Sequence, residues 1–585
     1  MCKRFLALVL SVIMIISLAG CLTKTTSSEV YYDEYIEGES QTTDDDSLNS
    51  SDSNNDSSSK DNSGKDDTIK NNSSKNSSNK NNTDKNNSSK DTASKNNSSS
   101  NKTSGISTSH QNTNKGKGEI EFKPVEDKGA NYKVKGKVTI AVDTGRVADF
   151  DAMFDIMQKL YPNVEIKFDY WTHTGDDCAA EYLSTRAATG NIADIIWDDA
   201  GVLPTYITQG WVYPITKFVA KDPEAVNIPK NLKADYTYCG ELYAVPHQAH
   251  FDCLVFNTDL LNKLGMKAPK QSWTMDEFEN YLKAAASKYK SGVCVGSDGL
   301  AEMYSAYAHW LAMSYYNKNN KNNYGQWGFN LNTNSIDNDY IIQGTKKYFH
   351  WRTMLPGVDA SYELYQKNAD GTSQLESYLG TSENLWLKGK ALIKVRNTAG
   401  ILQDESDYGF NYTVRAMPNL NGHLSMHVDN CFITSACKDE NIEAAYQLLR
   451  FMTFSTNGNL ARLSMYEKEN KDKYALNSRI YYPTTTSKTV LNKFNNLYCV
   501  TDTDKYLVAN IPNSSRFDMH KLIPNMYNNF IGIVGPSLND VRDGKDDSGS
   551  GMKEPIEKFN AAVKKTIDEM NKKIKDVQKD FNAKH

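Results

Sequence analysis

Hydrophobic and polar positions divide this chain into a polar N-terminal stretch and a remainder with the patterning of a folded protein. From about residue 135, buried-strand patterns alternate strictly with helical ones. In order, they are the strand KVTIAVD (137–143), an amphipathic helix from Phe150 to Tyr161 that ends at Pro162, the strand VEIKFDY, the short helix CAAEYLSTRAATG and the strand ADIIWDD. Such alternation is typical of parallel βαβ units in an α/β protein, whose ligand sites lie beyond the carboxyl ends of the strands.

Local start signals and apolar stripes predict three further helices. In SWTMDEF, Thr274 and Glu277 fit a capping box, and Trp273 and Phe278 are spaced as a hydrophobic staple. NIEAAYQLLRFM carries one apolar face. The tail from Glu554 to Phe581 has apolar residues at alternating spacings of three and four. This last stripe could be a coiled-coil seam, but we favour docking on its own lobe, because one helix of this length does not require a partner.

The N-terminus has the features of an export signal. Lys3 and Arg4 precede FLALVLSVIMIISLAG, an apolar run too short to cross a bilayer comfortably, and the run ends in Leu18-Ala19-Gly20-Cys21. This ending resembles the lipobox of bacterial lipoproteins, which implies that the Cys21 thiol is acylated. A plain secretory peptide with an incidental cysteine is the alternative; we favour the lipoprotein because the cysteine lies where cleavage is expected. We therefore expect attachment by lipid to the outer face of the cytoplasmic membrane.

Residues 22–130 are composed mainly of Ser, Asn, Lys, Asp and Thr, with few side chains that could fill a core. Burial cannot offset the ordering entropy of such a segment, so we predict a disordered spacer. A tether of this length suits a domain that must clear a thick wall polymer, which points to a Gram-positive envelope.

Composition excludes some classes of protein. At 585 residues the chain exceeds the size of a single core, so several domains are expected. A net charge of −5 argues against nucleic acid as the main partner. The cysteines beyond Cys21 number seven and form no C-x-x-C pair; we interpret most of them as small buried side chains, although export would permit disulfides.

The order of motifs across residues 135–570 resembles the extracellular solute-binding proteins of ABC importers, the family that includes maltose- and oligosaccharide-binding lipoproteins. The motifs are ADIIWDD, GWVYPITKFV, Gly240 to Pro246, FNTDLLNKLGMKAPKQSWTMDEFENYLKAA, LWLKGKALIKVRNTAG, YTVRAMPNLNG and ITSACKDENIEAAYQLLRFMTF. The resemblance implies a two-lobed α/β fold, like that of periplasmic binding proteins, with an interlobe cleft. It assigns 131–250 and 429–480 to one lobe and 251–428 and 481–585 to the other, with hinge crossings near 245–257, 426–432 and 478–484.

The same resemblance implies a function without catalysis. The lobes would close on a solute, which aromatic richness suggests is a sugar, and present it to an ABC permease; no cofactor is expected and the protein would be a monomer. H-E-x-x-H, G-x-S-x-G and the phosphate-binding loop motif are all missing from the sequence. The alternatives left open are a binder of a non-sugar solute, a sensor subunit, and a secreted carbohydrate-active or peptide-cleaving enzyme.

The stretch CGELYAVPHQAHFDCLVFN (239–257) invites a metal-site interpretation through His247, His250, Asp252 and Cys253. Alternation along a strand places 247 and 253 on the face opposite 250 and 252, which prevents convergence on one ion. NADGTSQLE (368–376) nearly matches a calcium loop, but its first and last ligand positions do not fit. We therefore predict a hinge in the first stretch, a surface turn in the second, and no metal site.

The candidate ligand-binding residues are polar or aromatic side chains at predicted strand ends and lobe crossings. Neutral sugars need hydrogen-bond donors and acceptors together with aromatic faces on which their C–H surfaces pack. Arg396 and Asn397 match a position where the family commonly has Asn-Gly-Pro followed by Trp; the arginine found here would also suit an anionic ligand. The candidates are Tyr170, Trp171, Trp197, Asp198, Asp199, His247, His250, Arg396, Asn397, Asp429 and Asn430.

Overall fold

A computed structural model describes most of the folded part of the chain, in residues 120–144, 151–171, 178–199, 201–298, 300, 325–399, 408–419, 422–470 and 480–584. Contacts divide the chain into two units, and every described residue belongs to the unit formed by residues 106–585. The acylation site proposed at Cys21 and the spacer up to residue 119 lie outside the described residues.

Strands and helices follow the predicted order. The strands are β1 (Gly136–Asp143), β2 (Val164–Trp171), β3 (Ile195–Asp199), β4 (Thr237–Tyr238), β5 (Glu241–Leu242), β6 (Val245–Asn257), β7 (Val295–Asp298), β8 (Phe329–Asn330), β9 (Ser335–Ile336), β10 (Ala391–Asn397), β11 (Tyr412–Ala416), β12 (Ser425–Ile433) and β13 (Ser515–Arg516). The helices before β10 are α1 (Asp151–Leu160), α2 (Cys178–Thr189), α3 (Leu203–Thr208), α4 (Thr216–Val219), α5 (Lys230–Asp235), α6 (Thr258–Lys263), α7 (Met275–Ala286), α8 (Asn338–Thr353), α9 (Ala360–Tyr365) and α10 (Gln374–Leu379). Those after β12 are α11 (Ile442–Met452), α12 (Thr456–Leu463), α13 (Lys488–Asn495), α14 (Asp502–Ala509), α15 (Met526–Ile533), α16 (Gly535–Arg542) and α17 (Lys553–Asn582).

The strand patterns correctly predicted parallel βαβ units at the start of the domain, but the main sheet as a whole is mixed, because β12 and β6 pair antiparallel with their neighbours. β1 pairs in parallel with both β2 and β3, and the main sheet runs in the order β2-β1-β3-β12-β6-β10-β7. The capping box on Thr274 and Glu277 is present at the start of α7. The turn between β4 and β5 is tight because Cys239 and Gly240 both adopt positive φ, at 50° and 87°. The α/β class is thus confirmed.

One long strand, β6, changes partners in the middle of its length. Its first half pairs with β12 as far as Phe251, and from Asp252 onwards it pairs with β10 and β11. The buried side chains change cluster at the same place, since Phe251 and Cys253 belong to one apolar core and Leu254 and Phe256 to another. β6 therefore carries the chain from one lobe to the other within a single strand.

The C-terminal helix α17 joins two apolar cores rather than one. Ile556, Phe559 and Val563 lie in a core with α15, whereas Met570 and Ile574 lie in the core built around β1 and β12. Docking on a single lobe, which we expected from the sequence, is therefore an incomplete description. The physical reason is length: 30 residues of helix reach about 45 Å, further than one small core. None of the helices in the described ranges is both long and apolar enough to cross a membrane.

The structured domain begins before residue 130, the predicted end of the spacer. The side chain of Asn457 binds both the N–H and the carbonyl of Val125, at 2.8 and 2.9 Å. Arg450 of α11 donates to the Asp127 carboxylate at 2.7 and 2.9 Å. Composition missed this docked segment because its partners lie more than 300 positions away. The other lobe boundaries remain predictions.

Candidate functional site

Polar side chains line one face of the sheet where β6 changes partners. Residues 248, 250 and 252 of β6 share this face because strand side chains alternate. β12 lies alongside in antiparallel register, with His427 opposite His250 and Asp429 opposite Gln248, and β10 brings Asn397 opposite Asp252. We call this set the polar belt: Gln248, His250, Asp252, Asn397, His427 and Asp429.

Hydrogen bonds join the belt across strands. Gln248 Nε2 donates to Asp429 Oδ2 at 2.9 Å, and the same carboxylate oxygen lies 3.2 Å from His250 Nε2. Asp252 accepts from Asn397 at 3.0 Å and lies 3.3 Å from His427 Nε2. A bonded row of donors and acceptors therefore runs from β12 across β6 to β10, from one lobe to the other.

The side chains of the belt are largely buried but keep some exposure to solvent. The side chains of His250 and His427 are 15% and 19% exposed, and those of Asp429 and Asp252 are 7% and 9% exposed. Hydrogen bonds strengthen in such surroundings because water competes less for the partners. The belt can thus offer both donors and acceptors to a polar molecule lying on the sheet.

Two opposing effects act on the pKa of His427. Burial disfavours the charged imidazolium, but the Asp252 carboxylate, through its charge and its hydrogen bond, and the charge of Asp518 together outweigh burial and raise the pKa above its usual value. Beyond it, Asp518 lies between Arg516 and Lys521, at 2.8 and 3.2 Å. Burial opposes ionisation of Asp518, and these cations hold its pKa far below the ordinary range.

A second layer of polar groups lies behind β6. Arg462 of α12 donates to Gln248 Oε1 at 2.6 Å and has His247 Nδ1 at 3.3 Å. Its guanidinium lies 3.6 Å from the ring centroid of Tyr481, and the Tyr481 hydroxyl donates to the His247 carbonyl at 2.7 Å. This layer supports the belt from the core side.

The structure brings together His250, Asn397 and Asp429, three of the sequence-predicted residues. His247 is fully buried on the other face, where its ring packs on the equally buried Trp197 at 4.5 Å. The alternation argument against a metal site at 247–253 agrees with this division. His247 and Trp197 therefore pack in the core instead of lining the belt.

The remaining candidates lie elsewhere on the sheet. Tyr170 and Trp171 are on the edge strand β2, with three strands between them and β6; Trp171 is buried and Tyr170 is half-buried. Asp199 is opposite Asn430 in the β3–β12 pairing, while the side chains of Asp198 and Asp199 lie outside the described set. Arg396 is half-buried on β10. The identity of the ligand-contacting residues thus remains a prediction.

Sequence reasoning missed Gln248 and His427 and considered Asp252 only as a metal ligand. A signal was present: Gln248, His250 and Asp252 alternate along one strand, and His427 and Asp429 alternate along another. What the sequence lacks is the register that places the two series side by side.

The fold defined by this sheet is that of two-lobed substrate-binding proteins. An ABC substrate-binding protein from Listeria monocytogenes, solved in complex with cycloalternan, matches with a TM-score of 0.50 at 15% identity, covering 73% of this chain and 99% of that one. A sugar transporter protein of Rhizobium etli in an open conformation matches with a TM-score of 0.53 at 16% identity, covering 73% and 99%. The cyclic alpha-maltosyl-1,6-maltose binding protein from Arthrobacter globiformis matches with a TM-score of 0.50 at 12% identity, covering 74% and 100%.

The chain belongs to the bacterial extracellular solute-binding protein family, whose profile matches residues 142–458. The matched region includes β6, β12 and all six residues of the polar belt. The family predicted from the order of sequence motifs is confirmed.

Proposed function

We propose that this protein captures an oligosaccharide between its lobes and delivers it, chemically unaltered, to an ABC permease. The observation that carries the proposal is the polar belt, which crosses from β12 to β10 and so offers contacts from both lobes to one ligand. A molecule that bonds to both lobes favours the closed arrangement over the open one, and this differential affinity drives closure.

The chemistry of the belt favours a neutral polyhydroxyl solute. Two carboxylates, two imidazoles and two amides provide acceptors and donors at close spacing. Each sugar hydroxyl can both donate and accept, so such a row can engage several hydroxyls at once. Structures of similar fold include one solved in complex with cycloalternan and one of a cyclic alpha-maltosyl-1,6-maltose binding protein, which supports these cyclic glucans as the first ligands to test.

Isothermal titration of the purified domain with these glucans tests the proposal. We expect binding of at least one of them, with a thermal upshift corresponding to about 2.7 kcal/mol when the ligand is at a hundredfold excess over Kd. Chromatography of the recovered sugar should show no product. Hydrolysis would favour an enzyme, and a panel with no binder would contradict an oligosaccharide ligand.

We propose further that Cys21 carries the lipid anchor and that the spacer holds the domain outside the membrane. The support is Leu18-Ala19-Gly20-Cys21 after a short apolar run. In a Gram-positive host, Cys21→Ala should prevent acylation and move the protein from the membrane fraction to the medium or to uncleaved precursor. Cys2→Ala is the matched control, because Cys2 precedes the apolar run. Unchanged fractionation and mass of the Cys21 variant would rule out lipid at this residue.

A further inference from the structure

A buried arginine directly contacts the polar belt from behind. Arg462 is 3% exposed, and its short bond to Gln248 Oε1, at 2.6 Å, reaches a side chain that is itself 5% exposed. Contact with the Tyr481 ring at 3.6 Å restrains the guanidinium on another side. The position of the Gln248 amide therefore depends on a group that does not itself belong to the belt.

Hydrogen-bond chemistry fixes which way the Gln248 amide points. A guanidinium can only donate, so the amide atom that faces Arg462 must be the oxygen. The amide NH2 then faces Asp429 Oδ2, an acceptor 2.9 Å away. Both neighbours require the same orientation, and the reversed amide would lose both bonds.

This orientation determines which nitrogen of His250 carries the proton. The Gln248 NH2 also lies 2.9 Å from His250 Nε2, and a hydrogen bond between these two nitrogens requires Nε2 to accept. A neutral imidazole that accepts at Nε2 carries its hydrogen on Nδ1. In the competing arrangement Nε2–H donates to Asp429 Oδ2 at 3.2 Å; the Gln248 and His250 nitrogens, 2.9 Å apart, would then be two donors directed at one acceptor, with no hydrogen bond between them.

We propose that Arg462 is a positioning residue for solute recognition: through Gln248 it keeps His250 in the Nδ1–H form and directs the amide NH2 to Asp429. This inference rests on the proposed function, in which the belt binds an oligosaccharide. A fixed imidazole donor beside a fixed carboxylate acceptor matches neighbouring sugar hydroxyls, and donors held in place before binding cost less ordering entropy.

The imidazole tautomer can be read directly by nitrogen-15 NMR of histidine-labelled protein without solute, at about pH 8, above the ordinary pKa of a histidine side chain. In the wild type we expect His250 to carry its proton on Nδ1. Gln248→Glu keeps the acceptor for Arg462 but replaces the NH2 by a second carboxylate oxygen, so the proton should move to Nε2. In Arg462→Met the amide is released, and a mixture of tautomers is expected. His250→Asn assigns the signal, and His350→Gln, which changes a ring 53% exposed, is the control.

Titration with an α-glucan that binds the wild type completes the test. Loss of one well-placed hydrogen bond should weaken binding about tenfold in both variants, while His350→Gln binds as the wild type. Should Arg462→Met fail to fold, Gln248→Glu decides alone. An Nε2–H tautomer in the wild type, or unchanged tautomer and affinity in Gln248→Glu, would overturn the proposal. If the wild type binds no sugar, the proposed function fails, and the tautomer in the free protein still decides whether Arg462 acts through Gln248.

Discussion

Two buried arginines on consecutive helices have different surroundings. Arg450 of α11 lies between carboxylates, with bonds of 2.7 Å to Asp127 and 2.7 Å to Asp222. Arg462 of α12 donates to a neutral amide and lies against an imidazole nitrogen. Both side chains are buried, so exposure does not explain the difference.

The comparison teaches that a buried cation can hold a fold together or orient a site, depending on its partners. At Arg450 burial opposes the charge, but hydrogen bonds and charges from Asp222 and Asp127 raise its pKa further above the usual value. Arg450, Asp127 and Asp222 form a cluster that we call the clasp, and it attaches the start of the domain to α11. At Arg462 the same chemical group fixes the direction of a neutral amide, and through it the polar belt.

The largest effect is expected from Arg450→Met. Removing the cation leaves Asp127 and Asp222 buried without their partner, which should cost about 3–5 kcal/mol in the free energy of unfolding. Urea unfolding of the domain measures this. Lys558→Met is the control, because its pair with Glu554 is 66% and 76% exposed and should change stability by less than about 0.5 kcal/mol. Equal losses of stability in Arg450→Met and Lys558→Met would mean that the buried ion pairs of Arg450 contribute no more than an exposed pair.

A smaller loss is expected from Asp127→Asn. The amide preserves the shape but removes the charge from one side of the clasp, which should cost about 1.5–3 kcal/mol, the range for a hydrogen bond to a charged group. A chain that begins at residue 118 keeps Asp127 and should unfold like the full chain. If Asp127→Asn is as stable as the wild type, the docked segment does not contribute to the fold.

Compared with Arg450→Met, Arg462→Met should lose less stability but more affinity for the sugar. Gln248 Oε1 loses its donor, so we expect about 1–3 kcal/mol of destabilisation, less than for Arg450→Met. Sugar affinity should fall about tenfold in Arg462→Met but remain near the wild-type value in folded Arg450→Met. Parallel urea unfolding and calorimetric titration of both variants decide this. Equal losses of affinity would mean that both arginines act only through stability.

The smallest effect concerns pH. His427 has a raised pKa in the folded state because Asp252 and Asp518 together outweigh burial, so its protonation adds stability. The contribution is full below the unfolded-state pKa of about 6.5 and is lost as pH rises through the higher folded-state value. Asp252→Asn removes the larger of these two carboxylate contributions and should therefore reduce this dependence. Urea midpoints between about pH 5.5 and 9 test it, and identical pH profiles for the two proteins would contradict the role of Asp252.

Much of the fold could be predicted from sequence because its signals are local. The parallel β1–β2–β3 arrangement, the capping box of α7 and the long helix α17 follow from patterns within a few residues. The candidate site was harder to predict. All candidates were chosen as polar or aromatic residues at predicted strand ends and lobe crossings; His250, Asn397 and Asp429 lie in the polar belt, whereas Trp197 and His247 are fully buried.

By itself, the sequence determined the order of strands and helices, because apolar periodicity and turn residues act over short distances, and the order of its motifs identified the family. Only the tertiary structure decided which polar residues meet. Asp252 and His427 are 175 positions apart, and Arg462 and Gln248 are 214 apart. Strand register and helix packing set those distances, and a one-residue slip would turn every belt side chain to the other face.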